Sequence, residues 1–320
     1  MGDGGWSVFV AALPAMDRRT LIAAFGALAL PLPLAARDAP PGVARLAELE
    51  RRAGGRLGLM VRDCASGAGF GWREGERFAH NSTFKLSLAA MVLAEIARGH
   101  ARGDEVLAYS VLDVLPASPV TGAAAGHGGM AVIDLAAAAV MKSDNLAANL
   151  LLARFGGPAA VTAFWRALGD PVSRLDHNEP LLNRGSREDP ADTTTPAAMA
   201  QTLGAMLTGP MLPAEVRATL WGWMKACDTG LGRLRAGLAP GWQAGDKTGS
   251  GFGKGWVARI NDLALVLAPV GDRHFRAPLA VAAYYEPVGP HESLAPAEEA
   301  VLADAMRIMT DPAMWKGVKR

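Results

Sequence analysis

Apolar residues recur at helical spacing through the middle of the chain, whereas both ends contain short apolar runs typical of strands. After a proline-rich junction at residues 38–41, the spacing predicts a helix over 43–53, a strand over 56–61 and, beyond a glycine turn, a second strand. The middle predicts helices over 85–98, 133–141, 146–155, 159–168, 196–207 and 214–225. The last third predicts strands over 242–248, 259–268 and 279–285, and a closing helix over 297–309.

The pattern therefore places sheet material at both ends of the chain, around a helical insert. Within that insert, residues 170–194 are polar, interrupted by proline and without periodicity. Loops of that length in a compact domain are usually functional or disordered, so this segment is a candidate part of a site. Thr195 followed by proline predicts an N-cap and the start of the next helix.

The N-terminus has the pattern of a secretory signal. Met16 is the expected start, Arg18 and Arg19 form a basic region, and an apolar run over 21–34 ends in small residues at 35–36. The run is too short to span a membrane comfortably, and the arginine pair permits a twin-arginine route. We expect cleavage near Ala36 and a secreted or periplasmic protein without a stable membrane anchor.

Composition narrows the class of protein further. Hydrophobic residues make up 50% of the chain and charged residues 20%, which is typical of a compact globular protein. A net charge of +1 argues against a nucleic-acid partner or a polybasic membrane surface. Cys64, Cys227 and six histidines provide no zinc-ligand spacing, so we expect neither a metal nor another cofactor.

Ser82 and Lys85 stand where a polar loop gives way to an apolar helical run. The structural interpretation is that Ser82 caps the helix and Lys85 points into water. The functional interpretation is that positions three apart share one helix face, so the amine can reach the hydroxyl. A serine hydroxyl needs a base to become nucleophilic, and a desolvated lysine can serve as that base.

Three further polar clusters stand at element boundaries. They are Ser143-Asp144-Asn145 between two helices, Glu179 with Asn183 in the long loop, and residues 247–251 at a predicted strand end. Taken singly, each has an ordinary structural interpretation: an N-cap, a solvated loop carboxylate and a glycine turn.

Taken together and in this order, the clusters resemble the SxxK, SDN and KTG signatures of the class A β-lactamases. The resemblance extends through segments such as Ser118-Pro-Val-Thr and Asp192-Thr-Thr-Thr-Pro and covers nearly the whole mature chain. It implies an α/β plus all-α structure, the class A β-lactamase/transpeptidase-like fold, with an antiparallel sheet and flanking helices packed on a helical domain. Residues 37–77 and 225–320 would form the α/β domain, and residues 78–224 the all-α domain with an Ω-type loop over 174–192.

The resemblance also implies the chemistry. Ser82 would attack the β-lactam carbonyl, and either Lys85 or a water held by Glu179 would take its proton. Ser143 would protonate the departing ring nitrogen, and Glu179 would activate the water that hydrolyses the acyl-enzyme. The protein would thus hydrolyse penicillins or cephalosporins, confer resistance to them, and act as a monomer.

The remaining site residues are implied to bind the substrate. The backbone N–H groups of Ser82 and Ser250 would form an oxyanion hole, and Asn145 and Asn183 would orient the substrate amide and the hydrolytic water. The substrate carboxylate would be held by the KTG strand and a nearby cation, namely Lys247, Thr248, Gly249, Ser250 and Arg233.

Several positions depart from the usual family pattern. Asn81 stands where many members have cysteine and Gly251 at its partner position, so Cys64 and Cys227 are both expected to be free. Ala117 replaces an aromatic residue, which predicts a wider or differently shaped entrance.

Two more departures concern loops. His177 occupies the place of an arginine that pairs with the aspartate matched by Asp192. Residues 252–260 form a longer connection than in common relatives.

Two other functions use part of the same pattern. A penicillin-binding D,D-peptidase shares the SxxK and KTG-type motifs but lacks the deacylating glutamate, and a β-lactam sensor domain would be acylated without turnover. Glu179 and Asn183 disfavour both. A phosphate loop at residues 249–255 is rejected because no serine or threonine follows its lysine, and no G-x-S-x-G elbow is present.

Overall fold

The structure, a computed structural model, describes residues 39–289 and 291–319, so the predicted signal segment lies outside the described residues. The strands are β1 (Arg56–Asp63), β2 (Gly69–Trp72), β3 (Phe78–Ala79), β4 (Val106–Ala108), β5 (Gly129–Ala131), β6 (Thr193–Thr194), β7 (Gln243–Gly251), β8 (Arg259–Leu267) and β9 (Leu279–Glu286). The helices are α1 (Pro41–Ala53), α2 (Phe84–Ala97), α3 (Pro119–Ala123), α4 (Val132–Met141), α5 (Asn145–Phe155), α6 (Gly157–Ala167), α7 (Pro196–Thr208), α8 (Ala214–Ala226) and α9 (Pro296–Met309).

Strands β8 and β9 are buried along almost their whole length. Continuous burial means that both faces of the sheet are covered, because alternate side chains of a strand point to opposite faces. Leu263, Leu265 and Ala282 pack with the helices of the middle of the chain. Val266 and Val281 pack on the other face with α1 and α9.

The sheet joins the two ends of the chain. Its order is β2-β1-β9-β8-β7, with every neighbouring pair antiparallel. Strand β7 is at one edge and continues through Ser250 and Gly251, which pair with Ile260 and Arg259. Residues 247–251 are therefore strand, and their interpretation as a glycine turn is wrong.

The helical side is built around α2. Residues 84–94 of α2 are buried, which is typical of a helix covered on all sides. Helix α4 contributes small side chains to the same core. Asp144 caps α5 by accepting from the Ala147 N–H, and Thr195 caps α7 with Pro196 in its first turn, as predicted.

The long loop is closed at its base by short-range pairing. Strand β6 pairs with β3, and inside the loop only a 3-10 turn at Leu181–Asn183 interrupts the irregular backbone. The Asp192 carboxylate accepts the peptide N–H groups of Asp176 and His177, which brings the two ends of the loop together.

The predicted long helices and strands are confirmed to within a few residues, and the antiparallel sheet with helices is the fold expected. From residue 39 onward the chain forms one compact unit, and the division into residues 37–77 with 225–320 and residues 78–224 stays a prediction. In the described part of the chain, no single helix is long and apolar enough to cross a membrane, although the bent pair α5 and α6 reaches that length together.

Candidate active site

A cleft of about 740 Å³ lies between edge strand β7, the turn before α5 and the long loop. Most of the predicted site residues line it: Ser82, Ser143, Asn145, Glu179, Asn183, Arg233, Thr248 and Ser250. The side chains of Lys85 and Lys247 are fully buried beneath this surface. The four clusters, dispersed over more than half of the sequence, therefore meet in one place.

Ser82 lies in a 3-10 turn, Asn81–Thr83, immediately before α2. Neither this turn nor α2 has a side-chain N-cap, so the interpretation of Ser82 as a helix cap is wrong. Strand β7 packs so closely on the turn that a Cβ at Gly249 would lie only 2.8 Å from the His80 carbonyl oxygen. This close approach requires glycine and brings the end of β7 beside Ser82.

Lys85 is surrounded by oxygen atoms. Its Nζ lies 2.9 Å from Ser82 Oγ, 2.8 Å from the Ser143 carbonyl and 2.5 Å from Asn145 Oδ1. Glu179 Oε1 is 3.0 Å away. Burial lowers the pKa of Lys85, and the adjacent Glu179 opposes that shift. The interpretation of Lys85 as a solvent-facing residue is wrong, and its amine is placed to exchange a proton with Ser82.

Glu179 is held by side chains on both sides of its carboxylate. Oε1 accepts from Ser82 Oγ at 3.1 Å, and Oε2 accepts from Asn183 Nδ2 at 2.7 Å. The backbone is fixed as well, since the Glu179 N–H donates to Asn149 Oδ1 and the Glu179 carbonyl accepts from Asn149 Nδ2. Sequence reasoning missed Asn149, although a lone amide inside the apolar run of α5 was a usable signal.

Ser143 occupies a left-handed turn (φ 57°) between α4 and α5. The neighbouring Asp144 fixes this turn by capping α5 and accepting from Thr121 Oγ1 at 2.7 Å. Ser143 Oγ accepts from Lys247 Nζ at 3.0 Å, across the cleft from β7. The N-cap interpretation of this cluster thus applies to Asp144, and the residues on either side of it face the site.

Lys247 carries the second buried amine of the site. Its Nζ also donates to the Thr248 carbonyl at 2.7 Å. Burial lowers the pKa of Lys247 to about 7, and the positive charges of Lys85 and Arg233 act in the same direction. Thr248 in turn shares a 2.6 Å hydroxyl–hydroxyl hydrogen bond with Thr229.

Arg233 is 4% exposed, and its guanidinium faces β7. It donates to Ser250 Oγ at 2.7 Å and to the carbonyl oxygens of Gly249 and Asn261. Nε donates to Glu299 at 2.9 Å. Arg233 therefore orients the Ser250 hydroxyl, while direct contact with a substrate carboxylate stays a prediction.

Asn183 belongs to a ladder of buried amides that sequence reasoning did not find. Asn261 Nδ2 donates to Asn81 Oδ1 at 3.0 Å, and Asn81 Nδ2 donates to Asn183 Oδ1 at 2.8 Å. A Cβ at Gly251 would lie 2.6 Å from Asn81 Nδ2. The two departures from the family pattern are therefore compatible: the absence of a side chain at Gly251 leaves room for the Asn81 amide, which binds the Asn183 side chain.

Ala117 lies at the entrance of the cleft, and the wider or different shape expected from it stays a prediction. The cleft is also lined by Phe252 and Trp256 of the β7–β8 connection. The Arg184 guanidinium carbon lies 5.5 Å from the Trp256 ring centroid, a cation–π contact between this connection and the long loop. Cys64 and Cys227 are both free.

His177 makes the contact predicted for it. Its Nδ1 lies 2.6 Å from Asp192 Oδ2, and the hydrogen bond to Asp192 raises the pKa of His177. Residues 39–289 and 291–319 contain no group of side chains suited to holding a metal ion.

Comparison with known proteins agrees with this geometry. A model of the β-lactamase enzyme family matches residues 43–287. The β-lactamase CTX-M-8 of Citrobacter amalonaticus is 42% identical over 267 residues, 83% of this chain and 87% of that protein. The β-lactamase L2 of Stenotrophomonas maltophilia is 48% identical over 70% of this chain and 72% of its own.

Solved structures give the same result. An ancestral class A β-lactamase (GNCA) is 47% identical and superposes with a TM-score of 0.76, covering 83% of this chain and 98% of that chain. The family match spans well over half of the chain, and the serine, lysine and glutamate of the site converge in the cleft. The chain therefore belongs to the class A β-lactamases, the serine hydrolases of the β-lactamase enzyme family.

Proposed function

We propose that the chain hydrolyses the amide bond of penicillins and cephalosporins through an acyl-enzyme on Ser82, which water activated by Glu179 then hydrolyses. The main support is that Ser82 Oγ is within hydrogen-bond distance of both Lys85 Nζ, at 2.9 Å, and Glu179 Oε1, at 3.1 Å. Ser82 thus has two candidate bases for acylation, Lys85 and Glu179. Glu179 is also the base for deacylation.

In acylation, the Ser82 hydroxyl loses its proton and forms the ester bond as the ring C–N bond breaks. The proton moves to Lys85 or, through water, to Glu179. Ser143 delivers a proton to the departing nitrogen, supported by its 3.0 Å contact with Lys247. The N–H groups of Ser82 and Ser250 stabilise the oxyanion, and the close approach of β7 at Gly249 supports that pairing.

In binding, the cation and hydroxyls at the end of β7 hold the substrate carboxylate. Lys247, Thr248 and Ser250 supply them, and Arg233 keeps the Ser250 hydroxyl in place. Asn145, fixed by Lys85 and by the Pro116 carbonyl, orients the substrate amide.

In deacylation, a water molecule attacks the ester from the side of the long loop. Glu179 takes its proton, and Asn183, 2.7 Å from Glu179 Oε2, orients it. Asn149 holds the Glu179 backbone and keeps the carboxylate at that position. This step separates a turnover enzyme from a D,D-peptidase or a sensor that only becomes acylated.

The test removes the two groups separately. Glu179→Ala, mixed with a penicillin, should gain the mass of the intact drug and keep it for many minutes, because deacylation loses a general base worth ~10²–10⁴-fold. Acylation should persist because Ser82 and Lys85 are unchanged. Intact-protein mass spectrometry follows the adduct over time.

Ser82→Ala is the control and should form no adduct, because the atom that bears the ester is gone. If Glu179→Ala turns over like the parent without accumulating an adduct, the role proposed for the loop is wrong. A parent protein that becomes stoichiometrically acylated but does not turn over would instead indicate a peptidase or sensor.

We further propose that the enzyme is exported and acts as a monomer. The basic and apolar pattern before Ala36 supports cleavage of a signal segment and activity in the periplasm or outside the cell. Hydrolysis of the drug by such an enzyme confers resistance to it. N-terminal sequencing of the protein recovered from the periplasm tests the cleavage site.

A further inference from the structure

The part of the long loop nearest the site, residues 183–187, packs on a buried cluster of charged side chains. Arg259, the first residue of β8, is 2% exposed, and its guanidinium reaches across to the loop. Nη1 donates to the Asn183 carbonyl at 3.1 Å and Nη2 to the Gly185 carbonyl at 2.5 Å. One side chain of the sheet thus binds two peptide groups of the loop.

The cluster has an acidic centre. Glu286, the last residue of β9, is 3% exposed and lies 3.8 Å from Arg259 Nε. Arg187 of the loop donates to Glu286 at 2.7 Å, and Arg56 of β1 lies 3.4 Å from it. The loop is therefore tied to the sheet twice, through its carbonyls to Arg259 and through Arg187 to Glu286.

These contacts lead directly to the groups of the deacylation step. The Asn183 carbonyl accepts from Arg259, and the Asn183 side chain donates to Glu179 Oε2. Asn183 lies in the short 3-10 turn of the loop, so its backbone position sets the position of its amide. A shift of the turn away from β8 would move both the water-orienting amide and the carboxylate.

We propose that Arg259 is a positioning residue for deacylation, which holds the Asn183 turn against the sheet edge so that Asn183 and Glu179 keep the geometry needed to activate water. The inference rests on the proposed function. Its physical reason is that Arg presents its donors in a rigid planar fork, which fixes two carbonyls at once, whereas a lysine ammonium is a single flexible point charge.

The expected effect is selective for one step. When deacylation slows and acylation does not, kcat and KM fall together and kcat/KM stays close to the parent value. In Arg259→Lys the charge beside Glu286 remains but the fork is lost, and we expect kcat to fall ~10- to 100-fold, the scale of a misplacement of about 1 Å. Steady-state kinetics on a penicillin measures the split, and mass spectrometry should find the acyl-enzyme accumulating.

Two further variants keep the test decisive. Arg259→Gln removes the charge, yet Glu286 keeps Arg56 and Arg187 as partners, so no buried carboxylate is left unpaired. Arg187→Ala removes the ion pair between the loop and Glu286, and the Arg187 side chain is 44% exposed. We expect kcat and KM to fall together in this variant, by less than in the Arg259 variants. If both Arg259 variants fail to fold, the result for Arg187→Ala decides.

The matched control is Arg73→Lys. Arg73 forms a partly buried ion pair with Glu50 of α1 at 2.8 Å and a second with Glu76, and neither of these partners belongs to the loop. This variant should lose some thermal stability with kcat and KM unchanged. If Arg259→Lys loses stability but shows the parent kcat and KM, the residue is only structural and the inference is wrong. A parent enzyme that does not turn over would instead overturn the proposed function.

Discussion

Arg233 shows how a single residue at the site serves the fold and the chemistry together. Its guanidinium donates to two carbonyls of the sheet, to Glu299 and to the Ser250 hydroxyl. Burial among these partners fixes its orientation, and the positive charge remains close to Lys247, whose pKa it helps to lower. A change at Arg233 should therefore act on carboxylate binding through Ser250 as well as through charge.

Arg233→Ala is expected to reduce kcat/KM for a penicillin ~10- to 100-fold, the range for a lost hydrogen bond to a charged group. The matched measurement uses the methyl ester of the same penicillin, which has no carboxylate to bind. The ester should lose much less activity than the acid. Equal losses on acid and ester would show that Arg233 only supports the sheet.

Much of the site could be predicted at this scale, but not all of it. Ser82 and Lys85 are three residues apart, so their contact follows from helix geometry. The meeting of Glu179 with Ser82 depends on a loop, and its prediction came from the family resemblance. Arg259 was missed because it acts through the backbone of a distant segment, which no local pattern records. Asn149 also acts through a distant backbone, but its lone amide in an apolar run was a local signal to which no role was assigned.

The two ends of the long loop are joined by hydrogen bonds, and Leu175 and Leu182 anchor it in the larger apolar core. The Asp192 carboxylate accepts two peptide N–H groups and the His177 ring. Asp192 is buried, whereas the His177 side chain is 49% exposed, so the pair is open to titration by solvent.

The loop should loosen at alkaline pH. Asp192 raises the pKa of His177 above its ordinary value of about 6.5, with Asp176 and Asp189 acting in the same direction. Stabilisation from the pair is fully present below the pKa of the unfolded state and is lost as pH rises through the folded-state pKa. Hydrogen exchange of residues 174–192, corrected for intrinsic rates, should accelerate between mildly acidic and alkaline pH.

The control for this effect is His177→Arg, which keeps its charge throughout that range and should show flat corrected exchange. If the corrected exchange rates of the parent are equally independent of pH, the charge on His177 does not stabilise the loop.

Helices and strands with a strong apolar period were predictable, whereas elements defined by pairing were not. The helix spacing located α2 and α7, and both begin within one residue of the expected start. Strand β7 extends further than predicted, because pairing with β8 keeps a glycine-rich segment extended against its local preference. The two-residue strands β3 and β6 carry no period at all.

At the scale of the whole molecule, the sheet separates two apolar cores. Helices α1 and α9 cover one face, and the larger helical core covers the other. Leu203 of α7 is fully buried in the larger core, whereas Leu112 is 92% exposed. The two leucines therefore provide a matched pair for measuring what the core contributes.

Leu203→Ala is expected to lower the free energy of unfolding by ~2–5 kcal/mol, because it removes buried methyl groups and leaves a cavity. Leu112→Ala should change it by less than about 0.5 kcal/mol, as is usual for surface positions. Denaturant titration with an unchanged m-value measures both. Similar losses in the two variants would contradict the assignment of the core.

The pairing of β1 with β9 has a consequence for how the molecule comes into being. Arg56 and Glu286 are partners in the sheet although they are 230 positions apart in the chain. A ribosome releases β1 and its first partner β2 long before its second partner β9 exists, and contacts of such high sequence separation make folding slow. The nascent enzyme must therefore remain inactive, with an unpaired strand edge exposed, until nearly all of it has been synthesised.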